Sequence, residues 1–545
     1  MPLMHLLASG RRFLPLGDGR FLELSDTLRK RLNSLRHVAE PHRGRLRLCG
    51  LSAGIVQGLI DDVLSAQVSE GWQRQVERLQ QMAAFDAGVP STLQAHLRTY
   101  QEEGYKWLCR LTHWGLGACL ADDMGLGKTI QSLALLLQRA PGGPALVVAP
   151  ASVCFNWQQE TVRYAPSLRL ALYATEERDA LLSSAGAYDV VVVTYTLLQI
   201  NSSAFEKVDW HTVILDEGQA IKNATSKRFE AACALHAAAR VVLTGTPVEN
   251  HLGELWALVH FLNPGLLGTL ESFNARFANP IEQGRDVSAR TTLRQLIAPF
   301  VLRRRKADVL EDLPSCTETV LNVPLSNDEA SGYEALRRVA MERLGTEENQ
   351  VRILAEIMRL RRYCCHPALV TGDYSIPSSK LEAFEEVLDE LRDNGHKALV
   401  FSQFVDHLTI VRRRLEDMGI PYQYLDGGTP LKERQKAVES FQAGAGEVFL
   451  ISLKAGGVGL NLTAADYVIH LDPWWNPAVE DQATMRAHRI GQQRPVTVYR
   501  LITQGTIEEK IVALHRDKRE LADQVLEGTD AGGRLSAEEL LRLLR

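Results

Sequence analysis

Short apolar runs separated by helix-length stretches constrain this chain most. One set is Ala145-Leu146-Val147-Val148-Ala149, Val190-Val191-Val192-Val193, Thr212-Val213-Ile214-Leu215 and Val241-Val242-Leu243. A second set is Ala398-Leu399-Val400-Phe401, Val448-Phe449-Leu450-Ile451, Tyr467-Val468-Ile469-His470 and Val496-Thr497-Val498-Tyr499. A strand that is apolar on both sides must be covered on both sides, and intervening helices supply the cover. The expected class is α/β, with two parallel-sheet halves in tandem. The first pattern fades after Pro247, and a largely helical stretch is expected from there to about residue 380.

A chain of 545 residues is too long for one core. Its 45% hydrophobic and 23% charged content reads as globular. No apolar run is long enough to cross a bilayer, so no membrane partner is expected. Met1–Ser9 is too short for a signal peptide. The eight cysteines include no Cys-x-x-Cys pair, which predicts a reducing cytoplasm and no zinc site. A net charge of −5 weighs mildly against a constitutive nucleic-acid binder. The basic runs Arg303-Arg304-Arg305-Lys306, Arg361-Arg362 and Arg412-Arg413-Arg414 read, each alone, as solvated helix faces. Near the start, Phe13–Leu16, Gly17-Asp18-Gly19 and Arg20–Leu24 predict a hairpin, with Ser25 capping a following helix.

Chemistry enters at Asp122-Asp123-Met124-Gly125-Leu126-Gly127-Lys128-Thr129, between a short apolar run and the helical run Ile130–Leu137. Glycines let backbone N–H groups approach phosphate oxygens, and a helix N-terminus adds favourable partial charge. Lys128 is expected on the β- and γ-phosphates of a nucleoside triphosphate and the Thr129 hydroxyl on Mg2+. Asp122 stands where this loop usually has its first glycine. Asp216-Glu217-Gly218-Gln219 follows a strand, where ligands bind in open α/β sheets. Asp216 is expected to hold Mg2+ mainly through water, and Glu217 to orient the attacking water. Alone, that string is an acidic helix cap; Lys128 in the same sheet favours catalysis. The hydroxyls of Leu243-Thr244-Gly245-Thr246-Pro247 suit γ-phosphate sensing, though alone the string is only a turn. Gln101 matches an adenine edge, although a helical glutamine is more often at the surface.

In the second half, Gln482, Arg486 and Arg489 lie within Asp481–Gln492. Arg486 and Arg489 are three apart and would share one helix face. Two guanidinium forks from a separate domain suit arginine fingers, against the plainer reading of a solvated basic face. Ser452–Asn461 is a second glycine-rich turn without Gly-Lys-Thr. It suits either close approach to a nucleic-acid phosphate, with Lys454 nearby, or simple packing.

From about Leu93 to Ile511 these strings resemble the Swi/Snf-type family of helicase superfamily two. The resemblance is carried by Asp122–Thr129, Asn156-Trp157, Asp216–Gln219, Leu243–Asn250 and Pro299–Arg304. It continues in Cys365-His366-Pro367, Phe401-Ser402-Gln403-Phe404, Asp472-Pro473-Trp474-Trp475-Asn476-Pro477 and Arg486–Gln492. It implies two tandem RecA-like domains and a DNA-stimulated ATPase that moves along duplex DNA, with ATP and Mg2+ as cofactors. It further implies a bacterial, HepA/RapA-like branch, with RNA polymerase or another DNA-bound protein as partner and a cytoplasmic, nucleoid-associated location. By position, Lys128, Glu217, Arg486 and Arg489 inherit catalytic roles. Gln101, Asp123, Met124, Gly125, Leu126, Gly127, Lys128, Thr129, Asp216 and Gln482 inherit nucleotide contacts. Thr194, Gln403, Lys454, Trp474 and Trp475 inherit DNA contacts; buried aromatics at a strand end are the plainer reading of the two tryptophans. Gln219, Thr99 and Met485 depart from the family's usual His, Pro and Asp.

The expected domains are an accessory α+β region over 1–88 and a first RecA-like domain over 89–310, with a helical protrusion from about 248. A second protrusion and linker spans 311–380, a second RecA-like domain 381–505, and a helical C-terminal brace 506–545. Two other functions stay open at this point: a strand-separating helicase and a nucleotide-gated scaffold.

Overall fold

The apolar runs form two sheets in which every strand pair is parallel. The computed structural model describes residues 85–513, apart from 174–177, 246, 249–250, 283–285, 311–312, 345–349 and 457–459. Before residue 85 it describes 13–17, 20–23, 40–42, 45–47, 70 and 74. The helix capped by Ser25, Thr246, the centre of the second glycine-rich turn and the brace beyond 513 lie outside the described residues. The expected hairpin is present: β1 (Phe13–Gly17) pairs antiparallel with β2 (Arg20–Glu23). β3 (Glu40–His42) and β4 (Arg45–Arg47) form a second antiparallel pair.

The first sheet contains β5 (Ala118–Leu120), β6 (Ala145–Ala149), β7 (Arg169–Leu172), β8 (Asp189–Thr194), β9 (Thr212–Asp216), β10 (Arg240–Leu243) and β11 (Val301–Leu302). Their order is β11-β5-β10-β9-β6-β8-β7. This order sets the C-terminal ends of β5, β10 and β9 side by side. Each end leads into one of the strings singled out in the sequence.

The second sheet contains β12 (Cys316–Val323), β13 (Ala398–Ser402), β14 (Tyr422–Leu425), β15 (Val448–Ser452), β16 (Tyr467–His470) and β17 (Val496–Thr503). Their order is β12-β17-β16-β13-β15-β14. Alternation along its strands feeds two cores. Ala398, Val400, Val448, Leu450 and Ile469 enter one cluster, while Leu399, Phe401, Phe449, Ile451 and Val468 enter another. Each fully buried aliphatic or Phe side chain contributes about 1.5–3 kcal/mol, against about 1–2 kcal/mol to fix each residue's backbone. A third, smaller core joins the helix Gln350–Cys365, through Ile353, Ile357 and Leu360, to Tyr333, Ile507 and Ile511.

The stretch after Pro247 is largely helical, as expected, but it also contains two strands that the sequence reading did not foresee. β11 is only two residues long, below what a periodicity reading resolves. β12 reads Cys-Thr-Glu-Thr-Val-Leu-Asn-Val and is a largely exposed edge strand. Its eight-residue pairing with β17 supplies ladder hydrogen bonds that its polar sequence does not advertise. The chain folds into two compact units; the long first-unit stretch Gly127–Arg305 is followed by second-unit residues from Lys306 on, and Met124–Leu126 group with the second unit. No described helix is long and apolar enough to cross a membrane.

Candidate nucleotide site and the loops of the second sheet

β5 runs into the glycine turn, and the helix Lys128–Arg139 starts at its end. Gly125 and Gly127 have φ of 88° and 77°, which disfavour any residue with a Cβ. A Cβ at Gly127 would also meet the Gln101 amide nitrogen at 2.5 Å. The Lys128 ammonium donates to the carbonyls of Asp122 at 2.6 Å and Asp123 at 3.3 Å. Burial lowers its pKa, opposed by the negative charges of Glu217, Asp122, Asp216 and Asp123. Thr129 is the next residue of the helix.

Asp216 closes β9 and is held from two sides. The Trp157 indole donates to one carboxylate oxygen at 2.8 Å and the Glu217 amide to the other at 2.9 Å. The Tyr195 hydroxyl donates to the Asp216 carbonyl at 2.8 Å. Burial first, and then the Glu217 charge, push the Asp216 pKa up to about 7. A buried carboxylate whose charged form is disfavoured fits a site that gains a dication. Glu217 has φ of 51°, an unusual left-handed conformation for a non-glycine residue. Gly218 allows the tight turn, since a Cβ there would meet Val242 at 2.4 Å. The Gln219 amide donates to Glu217 Oε2 at 2.9 Å, and the Thr244 hydroxyl donates to Gln219 Oε1 at 3.0 Å. The string after β10 is thereby joined to the one after β9.

Gln101 is 5% exposed on the first turn of the helix Thr99–His113, not at the surface. Its amide oxygen accepts from the Arg98 amide at 3.0 Å and its nitrogen donates to the Tyr100 hydroxyl at 3.3 Å. The Thr194 hydroxyl caps the helix Tyr195–Ile200, accepting from the Leu197 amide at 3.2 Å.

In the second unit, the C-terminal ends of the neighbouring strands β13 and β16 carry Gln403 and the two tryptophans. The Ser402 hydroxyl and the Gln403 amide donate to the Asp472 carboxylate. Neither amide atom of the Gln403 side chain has a hydrogen-bond partner, although both are buried. The Trp474 amide donates to Glu480 at 2.6 Å. Arg361, 1% exposed, donates to the Pro473 carbonyl, and its guanidinium lies 5.2 Å from the Trp475 ring and 5.7 Å from the Phe404 ring. Arg361 thus spans both loops. Lys454 is exposed, just past β15.

Two expectations are corrected here. Arg486 and Arg489 do not share a helix face. The helix Pro477–Thr484 ends before them, and both sit on turns whose path is fixed by bonds such as Leu462 N–H to the Arg486 carbonyl at 3.1 Å. Gln482 is on that helix, 6% exposed, and its side-chain nitrogen has no partner. The basic runs at 303–306 and 361–362 are not simply solvated faces: Arg304, Lys306 and Arg361 are largely buried. Arg413 and Arg414 are exposed on the helix Val405–Asp417, as expected.

Sequence reasoning missed Arg304, Arg361, Trp157 and Tyr195 as supports of these sites. Arg304 lies between Arg303 and Arg305 and Arg361 beside Arg362, so no local sequence signal marked either as buried. Cys365, His407 and Asp472 bring three ligand-type atoms within 4.8 Å, all buried. The Lys380 ammonium acts on both the thiol and the imidazole, and the Arg361 guanidinium on Asp472. A dication there would face two fixed positive charges.

Comparison with known proteins adds the following. The model of the SNF2-related domain matches residues 100–369, and that of the helicase conserved C-terminal domain matches residues 379–491. A putative ATP-dependent helicase/translocase of Bacillus subtilis, YwqA, is 42% identical over 84% of this chain and 51% of its own length. A mouse SWI/SNF-related matrix-associated actin-dependent regulator of chromatin, subfamily A member 1, is 36% identical over 82% of this chain and 46% of its own length. The chain therefore spans about half the length of these relatives. The solved Sulfolobus solfataricus SWI2/SNF2 ATPase core in complex with dsDNA is 36% identical, covering 84% of this chain and 99% of that one, with a TM-score of 0.43.

Proposed function

The chain belongs to the SNF2-related family, and from that premise we propose that it is an ATP-dependent translocase on double-stranded DNA that displaces or remodels DNA-bound protein. The observation that carries the ATPase reading is one sheet edge. Lys128, the Asp216–Glu217 pair and Thr244 follow the adjacent strands β5, β9 and β10.

In this reading the glycine turn and Lys128 take the phosphates, with Gln101 toward the base. Asp123 to Thr129 line the loop, and Gln482 is a further candidate nucleotide contact. Thr129 and Asp216 would hold Mg2+, which supplies charge neutralisation to the phosphates. Glu217, aimed by Gln219, orients and polarises the attacking water. Arg486 and Arg489 act as fingers on the developing charge. Thr194, Gln403, Lys454, Trp474 and Trp475 meet DNA, mainly its backbone. The partnerless Gln403 amide supports this, because a buried amide without partners is costly unless a ligand fills it.

The test is ATP turnover with duplex DNA, with single-stranded DNA and without DNA, in the wild type and Lys128→Ala. Duplex-specific stimulation that disappears in Lys128→Ala is expected. Equal turnover under all three conditions would sink the translocase reading, and strand release in an unwinding assay would replace it with a helicase. Stimulation should fall steeply with salt, since phosphate contacts dominate.

A further inference from the structure

The run Arg303-Arg304-Arg305-Lys306 holds the end of the long first-unit stretch Gly127–Arg305. Before it comes the edge strand β11, parallel to β5, with Val301 beside Cys119 and Leu302 beside Leu120. The pairing continues past the strand ends. The Ala121 amide donates to the Leu302 carbonyl at 2.7 Å, and the Asp123 amide donates to the Arg304 carbonyl at 3.0 Å. The exit strand and the start of the phosphate loop therefore share one backbone ladder.

The Arg304 side chain locks that ladder to two helices. Its Nε donates to Asp122 Oδ1 at 2.9 Å and a terminal nitrogen reaches the other Asp122 oxygen, a two-pronged pair. The same terminal nitrogen donates to Gln131 Oε1 at 2.9 Å, on the helix that the phosphate loop opens. The other donates to the Tyr100 carbonyl, and the guanidinium lies 5.2 Å from the Tyr100 ring. Tyr100 adjoins Gln101. Asp122 is fully buried and the Arg304 side chain is 11% exposed. Space for the cluster comes from Gly104, where a Cβ would meet Gln131 at 2.0 Å and Arg304 at 2.6 Å. Glycine is otherwise unfavourable inside a helix.

We propose that Arg304 is a positioning residue for the nucleotide, which couples occupancy of the phosphate loop to the segment leading into the second unit. The proposal rests on the reading of Lys128 as the triphosphate lysine. The physical route is short. Asp122 supplies the carbonyl that receives Lys128 at 2.6 Å, and its carboxylate is held by Arg304. Buried charge is tolerated only when paired, so a change at either partner must shift the loop. By linkage, whatever the exit segment does to nucleotide affinity, nucleotide does to the exit segment.

The test uses the full chain as wild type, Arg304→Lys, Asp122→Asn and Lys128→Ala. Lysine keeps the charge but cannot reproduce the fork. A fluorescent ATP analogue gives Kd, steady-state turnover gives KM and kcat, and amide hydrogen exchange is followed at 119–123 and 301–305 with and without nucleotide. Arg304→Lys is expected to raise Kd and KM about tenfold while kcat changes by less than about threefold. Nucleotide should slow exchange at Ala121 and Asp123 in the wild type and fail to do so in Arg304→Lys. Unchanged Kd in both Arg304→Lys and Asp122→Asn overturns the proposal, even with a lowered Tm. Equal nucleotide protection in wild type and Arg304→Lys also overturns it. If Arg304→Lys does not fold, Asp122→Asn carries the same comparison. Wild-type nucleotide binding by Lys128→Ala would instead overturn the triphosphate reading itself.

Discussion

The side-chain amide of Gln219 donates to the Glu217 carboxylate at 2.9 Å. Because Thr244, at the end of the neighbouring strand β10, donates in turn to the Gln219 oxygen at 3.0 Å, this glutamine is held where it aims the proposed catalytic carboxylate. Glutamine cannot titrate near neutral pH, so the aim is independent of protonation.

Gln219→Ala should therefore lower kcat by roughly ten- to a hundred-fold with a much smaller change in KM for ATP. Gln219→His should restore part of kcat and introduce a titration near pH 6.5, the ordinary histidine value. Steady-state turnover against pH reads both effects. Wild-type kcat in Gln219→Ala would remove Gln219 from the mechanism.

Arg486→Ala and Arg489→Ala should each reduce kcat by about a thousand-fold or more if both are fingers. Binding of an ATP analogue should weaken far less, since the charge they meet develops in the transition state. A variant that loses affinity and kcat in step identifies a ground-state contact instead.

Lys380 and Glu508 form a buried ion pair at 2.7 Å, with side chains 2% and 0% exposed. Lys380→Met leaves Glu508 charged and unpaired and should destabilise the second unit by about 3–5 kcal/mol. Lys380→Met combined with Glu508→Leu should recover most of that loss. Chemical denaturation of the three variants measures it, and an additive double variant would contradict the pairing.

Burial, followed by the charge of Lys380 and that of His366, pulls the His407 pKa down to about 3. The ordinary value is 6.5, so the unfolded chain binds this proton first as pH falls. The native state is then penalised progressively from about pH 6.5 downward to pH 3. His407→Gln should flatten the decline of Tm over this window. An unchanged profile would show that His407 does not set the acid limit.

Much of the fold is legible in the sequence because the strand signal is local. The runs at 145–149 and 398–401 are apolar at every position, and that demands cover on both faces. The glycine turn is legible for a similar reason: Gly125 and Gly127 occupy positive φ that other residues avoid. β12 escaped detection because its pairing with β17 comes from a partner about 180 residues away in sequence, not from its own polar residues.

The sequence by itself determined the two parallel sheets, the glycine turn before Lys128 and the order of the motifs. Each of these depends on backbone preference or apolar period within a few residues. Only the tertiary structure decided which of the basic runs are buried, and it ended the helix before Arg486. It also decided that Arg304 grips Asp122 across 182 residues and that Arg361 spans the Gln403 and Trp475 loops. An ion pair or a cation over a ring has no sequence period. It exists because the sheet order returns distant segments to the same strand ends, and there burial makes an unpaired charge intolerable.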